Sequence, residues 1–250
     1  MREFTKHPTG RGAARAEAAG LAWLAQAAPN NVAEVLRVSD TGLTEVEYTP
    51  VAPTAAMARQ AGELLAHIHR SGAPAFGAPP PGWGGPYYIG TQQQACKPEK
   101  DWARFYVDQR VMPFVQRAFN RGTLDGEGFN TVQAACARLL AEPLVPEVTP
   151  ARIHGDLWGG NLMFTTVGPI FIDPAAHGGH PETDLAMLAL FGAPFFGEIV
   201  AGYESVVRLT SLWRERLPIH QLHPLAVHAV THGPSYGVAL VSAAREVLAL

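Results

Sequence analysis

The stretch from Ile153 to Asp173 constrains this chain most. It reads His154-Gly155-Asp156, then Asn161 five residues after Asp156, then Asp173 at the end of the apolar run Ile170-Phe171-Ile172. Strand-like Arg152–Ile153 and Pro169–Ile172 flank the motif, so two carboxylates and an amide are set around a short β unit. Gly159-Gly160 lets the chain turn tightly between them. Taken alone, His-Gly-Asp also suits a plain turn, with the Asp capping and the His packed. Asn161 at its offset and a strand-terminal Asp173 favour a chemical reading.

The rest of the chain divides in two. Residues 11–28 are Ala-rich and helix-favouring, with Leu21, Leu24 and Ala25 at helical spacing, and Pro29-Asn30-Asn31 ends the helix. Val32–Val38 and Leu43–Tyr48 follow as a hairpin turning at Asp40-Thr41-Gly42. Residues 1–48 therefore read as a small α/β lobe, and residues 49–250 as a larger, mainly helical one. Thr54 caps a helix running to about His69, with Leu64, Leu65 and Ile68 on one face and with His67 and His69 structural. The Pro/Gly-rich stretch Gly72–Gly90 carries Phe76, Trp83, Tyr87, Tyr88 and Ile89, which suits a packed loop lining a pocket better than a solvated linker. Helices are expected over 99–120, interrupted at Pro113, and over 129–142. The segment from Pro181 reads as helical, broken at Pro194, Pro218, Pro224 and Pro234.

Composition narrows the function classes. Of 250 residues 47% are hydrophobic, which excludes a disordered chain. Nineteen basic against 22 acidic residues leave no cationic excess to hold nucleic acid. No apolar run is long enough to span a membrane, and MREFTKHPTGRG lacks the apolar stretch of a secretory signal. Two cysteines, Cys96 and Cys136, suit a reducing compartment, so a cytoplasmic protein is expected, monomer or homodimer.

The motif's chemistry can now be read. In the protein-kinase pattern H-R-D-x-x-x-x-N, followed by a metal-binding Asp, the first carboxylate orients an acceptor hydroxyl and takes its proton. Asp156 has that place. Magnesium prefers oxygen ligands, and Asn161 and Asp173 offer an amide oxygen and a carboxylate.

The segment resembles the fructosamine kinase (ketosamine 3-kinase) family, within the aminoglycoside phosphotransferase-like kinases. The resemblance rests on HGDLW-x-GN at His154–Asn161, IDPA at Ile172–Ala175 and G-H-x-E-x-DLAM-x-x-LFG at Gly179–Gly192. It extends to Trp102, Phe105, Arg110 and Pro113 and to the region Leu217–Gly237. It implies a two-lobed protein-kinase-like α+β fold and transfer of the γ-phosphoryl of ATP to a sugar hydroxyl of a ketoamine. Mg2+ would bridge the phosphates. The acceptor would be a small glycated amine or sugar derivative, glycated protein included, so the activity implied is protein deglycation. Asp156 would be the catalytic base, and Asn161 and Asp173 the metal ligands. Lys6 would contact the ATP phosphates, paired with Glu17, and Glu47 and Tyr48 would neighbour the adenine at the lobe hinge. Trp158 could stack on a sugar or simply pack, and His154 is a second candidate substrate contact. Asp184 and Glu182 would brace the catalytic loop.

Two departures concern the acceptor side: Ala176-His177 replaces an aromatic pair, and Pro181 stands where many members carry Arg. Only five residues precede Lys6, so the first strands and the Gly-rich phosphate hairpin are expected to be missing, and Thr9-Gly10-Arg11-Gly12 reads as the entry to the helix. That leaves a catalytically impaired kinase-fold binding protein as an alternative. A metal-dependent hydrolase is a weaker one: His177 and His180 lie near Asp173, and His228 and His232 have helical spacing, but no H-E-x-x-H motif occurs.

Overall fold

A computed structural model describes residues 2–250. Three antiparallel strands, β1 (Glu3–Lys6), β2 (Val35–Val38) and β3 (Leu43–Val46), form a sheet in the order β1-β3-β2. Helix α1 (Ala13–Ala25) packs beside it and buries Leu21, Trp23 and Leu24. β2 and β3 are shorter than the expected Val32–Val38 and Leu43–Tyr48, and a register shift between Val35 and Arg37 interrupts their ladder.

Helix α2 (Ala55–Arg70) starts where Thr54 accepts the Met57 amide at 3.2 Å, the cap expected from sequence. Gly72–Gly90 is packed, as expected: Phe76, Tyr87 and Ile89 are buried, and its end forms a hairpin of β4 (Tyr87–Ile89) and β5 (Gln92–Gln94). The next helix is continuous through Pro113. It passes from α3 (Trp102–Phe105) through a π-helical segment, Tyr106–Val111, into α4 (Met112–Asn120). Pro113 falls where the π-helical segment passes into α4. Helix α5 (Gly126–Ala141) follows.

The central motif spans four short strands. β6 (Ala151–Ile153) pairs with β9 (His177–Gly179), and β7 (Leu162–Thr165) pairs with β8 (Gly168–Phe171). Helices α6 (Glu182–Phe191), α7 (Phe196–Val206), α8 (Leu217–Thr231) and α9 (Pro234–Ala249) complete the chain. Pro218 and Pro234 open α8 and α9, and Pro194 lies between α6 and α7. The expected break at Pro224 does not occur: α8 runs through it. Leu222, Leu225, Ala226 and Val230 are buried around that turn, and their packing offsets the lost hydrogen bond.

Two apolar cores result. One gathers α4, α5, α8 and α9; the other joins α1 and β3 to α2, β7, β8 and α7. No helix among the described residues is long and apolar enough to cross a membrane.

Candidate active site

The loop between β6 and β7 carries His154, Asp156 and Asn161, and Asp173 follows β8. Asp184, at the start of α6, fixes this loop. Its two carboxylate oxygens accept the backbone amides of His154 at 2.7 Å and Gly155 at 2.9 Å. His69 donates to the same carboxylate through Nε2 at 3.0 Å, and the Tyr203 hydroxyl partners Nδ1 at 2.9 Å. Burial opposes ionisation of Asp184, but these hydrogen bonds hold its pKa below the usual carboxylate range. Gly155 has φ of +80°, and a Cβ there would lie 2.3 Å from the Ala175 carbonyl, so only glycine fits this turn.

Asn161 donates its side-chain amide to the Asp156 carbonyl at 2.8 Å. Only the NH2 group can face a carbonyl oxygen, so Oδ1 is the atom left to accept a cation. Asp173 sits at φ of +52°, a left-handed conformation that Asp tolerates better than most residues. Burial, then the charges of Asp173 and Asp184, push the Asp156 carboxyl up to about 7, against the hydrogen bond from Asn161.

Lys6 reaches this group from β1. It forms ion pairs with Glu17 of α1, with Asp173, and with Glu45 of β3 at 3.2 Å. Burial works against its charge, and the three carboxylates outweigh it, so Lys6 stays protonated. Three anions share one cation, so burial keeps both Glu17 and Glu45 above their ordinary pKa. Glu45 is absent from the sequence-based candidates. Its role follows from the register of the sheet: Glu45 lies opposite Phe4, so it shares a face with Lys6 on the neighbouring strand.

Lys6, Glu17, Asp156, Trp158, Asn161 and Asp173 thus line one cleft of about 360 Å3. Its far wall is the β4–β5 hairpin. Tyr88 lies against Gly10, where a Cβ would meet its ring at 2.6 Å, and donates to the Arg11 carbonyl at 3.0 Å. The Thr9–Gly12 turn therefore leads into α1, as expected. Trp158 is 45% exposed and covers Gly160, so it both packs and borders the cleft.

The fructosamine kinase family model matches residues 5–249. The chain belongs to the fructosamine kinase family. A probable ketoamine kinase from Enterococcus faecium is 34% identical over 180 residues, which cover 72% of this chain and 63% of that protein. The match thus spans less than two thirds of that relative. A Thermobifida fusca protein assigned as a fructosamine-3-kinase, 40% identical, superposes with a TM-score of 0.92 over 99% of this chain and 86% of that one. A type I macrolide 2′-phosphotransferase, 16% identical, shares the fold at a TM-score of 0.60 over 96% and 82% of the two chains. The fold is that of kinase-like phosphotransferases, as the sequence resemblance implied.

Three of the site residues expected for this fructosamine kinase family member lie outside the cleft. His154 is 1% exposed and does not meet the cleft. It bonds the Ile172 carbonyl through Nε2 at 2.9 Å, and its Nδ1 lies 3.3 Å from the Asp156 amide that donates to it. It therefore ties the loop to the strand leading into Asp173. Glu47 is exposed and does not line the cleft. Tyr48 also lies off it: its ring packs on the core and its hydroxyl accepts the Glu34 amide at 3.3 Å.

Glu182 is buried and held by Arg216 through two bonds of 3.1 and 2.6 Å. That guanidinium, from just before α8, braces the loop where Pro181 offers no charge. Burial raises the Glu182 pKa, but His220, with Nε2 3.5 Å away, and the hydrogen bonds from Arg216 outweigh it and hold it at about 2. His180, Glu182 and His220 are the one set of three His, Cys, Asp or Glu side chains among the described residues whose ligand atoms lie within 4.8 Å of one another. It does not suit a metal. His180 accepts the Glu182 amide through Nδ1 at 3.1 Å, so its Nε2 carries the proton, and Arg216 already occupies the carboxylate. The hydrolase alternative loses its chemistry there.

Proposed function

We propose that this chain is an ATP-dependent ketoamine kinase that phosphorylates a sugar hydroxyl, with residues 1–48 as the nucleotide lobe and 49–250 as the catalytic lobe. The observation that carries this reading is the convergence of Lys6, Glu17, Asp156, Asn161 and Asp173 on one cleft. Lys6 is a fixed positive charge for the phosphates, oriented by Glu17 and Glu45. Asp156 lies where it can orient the acceptor hydroxyl, and a carboxyl poised near neutrality suits taking its proton. Asn161 Oδ1 and the Asp173 carboxylate are hard oxygen donors that fit Mg2+, which when bound neutralises charge on the phosphate oxygens. Glycated protein side chains are included among the acceptors, and the reaction is placed in the cytoplasm.

An ATP-consumption screen tests this reading. The acceptors are fructosyl-lysine, ribulosyl-lysine, free sugars and aminoglycosides. Turnover that depends on a ketoamine is expected. ATP binding without turnover on any acceptor would instead make the chain a kinase-fold binding protein.

A further inference from the structure

A cavity of about 290 Å3 lies between the ends of α2 and α7, the strand β6 and the start of α6. It shares no lining residue with the cleft. Buried His69 and Tyr203 form its floor, and Val148, Ala151, Pro181, Val207 and Leu209 give it apolar walls. Arg70, the last residue of α2, and Arg208, just past α7, are exposed and stand at its rim.

The charges around this cavity do not cancel. The neighbouring arginines are taken, Arg59 by Glu198 and Arg216 by Glu182. Arg70 and Arg208 have no ion-pair partner among the described residues. Glu182 also lines the cavity, but its carboxylate already holds two hydrogen bonds from Arg216. His69 and Tyr203 are spent on each other and on Asp184. His180 Nε2 has no accessible surface, so the polar groups free to meet a ligand are the two guanidiniums and the exposed Thr149 hydroxyl.

We propose that this cavity is a second ligand site, for a small organic molecule that joins an oxyanion to an apolar body. Two unpaired guanidiniums match a carboxylate or phosphate, which each can meet with two parallel N–H donors. The apolar walls below them match a ring or branched hydrocarbon, which removes that wall from water on binding. The volume lies just under the roughly 300–1,000 Å3 of sites for drug-sized ligands, so the occupant is small. It would rest on His69 and Tyr203, the pair that holds Asp184 and through it the catalytic loop.

The test reads binding directly, without turnover, by NMR titration with benzoate, phenyl phosphate and the neutral benzyl alcohol. The proteins are wild type, Arg70→Gln with Arg208→Gln as a double variant, and Lys6→Gln. Both arginines are exposed, so the double variant should fold, and a thermal melt checks it. Wild type should bind at least one of the two anions with a Kd of about 1 mM or tighter, and the tighter one tells a carboxylate from a phosphate ligand. The double variant should bind it about tenfold more weakly, and Lys6→Gln within about twofold of wild type. No binding of either anion by wild type below about 10 mM would overturn the site. Equal affinity for benzyl alcohol, or unchanged affinity in the folded double variant, would overturn it as well. A loss in Lys6→Gln instead would place the anion in the cleft and also overturn it.

Discussion

At the scale of single residues, the site is a problem of anion crowding. Glu17, Glu45 and Asp173 share Lys6 as their cation, and the charges of Asp173 and Asp184 act on Asp156 beside them. Asp173 spends its charge on Lys6. Asp173→Ala should leave Lys6 to Glu17 and Glu45 and remove an oxygen donor, so nucleotide affinity should lose its magnesium dependence. Calorimetry with and without chelator reads this, and retained dependence would remove Asp173 from the ligand set. Asp184 acts at a distance from any substrate, through the amides of His154 and Gly155. Asp184→Ala strands those two buried donors and His69, which should cost about 3 kcal/mol in urea unfolding. A loss under about 1 kcal/mol would mean that the loop holds itself.

Among elements, α2 and α7 pack closely, and glycines on each helix face the other's backbone. A Cβ on Gly62 would lie 1.9 Å from the Ile199 carbonyl, and one on Gly202 would lie 1.9 Å from that of Arg59. Helix propensity alone favours Ala over Gly by about 1 kcal/mol. The clash reverses the sign: Gly202→Ala should destabilise by about 1–3 kcal/mol, read as a lower urea midpoint. A neutral or stabilising effect would contradict this helix pairing. The same packing moves His69 and Tyr203 into contact, and so reaches Asp184.

Legibility in the sequence also divides by element. Asp156, Asn161 and Asp173 could be read because they lie within one short β unit, and the Thr54 cap because it is local. Glu45 could not, because its place beside Lys6 depends on strand register across 39 residues of chain, Lys6 to Glu45. Helix α8 misled in two ways. Pro224 signalled a break that core packing overrides, and His228 and His232, read from their helical spacing as a candidate metal pair, instead join an aromatic cluster with Phe191 and Tyr236.

For the molecule as a whole, burial of neutral histidines sets the acid limit. His177 is lowered to about 3 and His228 to about 4, in both cases by burial first. A histidine whose folded pKa is depressed stabilises the fold fully above its unfolded value of about 6.5, and that contribution is lost as pH falls towards the folded value. The melting temperature should therefore drop between about pH 6.5 and 4. His177→Phe, packed beside Phe105, should flatten part of that slope, and an unchanged slope would assign the acid loss elsewhere.

Under the proposed function one step engages the whole chain: the γ-phosphoryl leaves ATP on the lysine side of the cleft and passes directly to the acceptor oxygen, whose proton Asp156 takes. Phosphorus NMR of ATP, Mg2+ and fructosyl-lysine, with wild type and Asp156→Asn in parallel, tests it most directly. A new sugar phosphate resonance is expected with wild type, and none with Asp156→Asn although that variant still binds ATP. Equal transfer by the two proteins would contradict it.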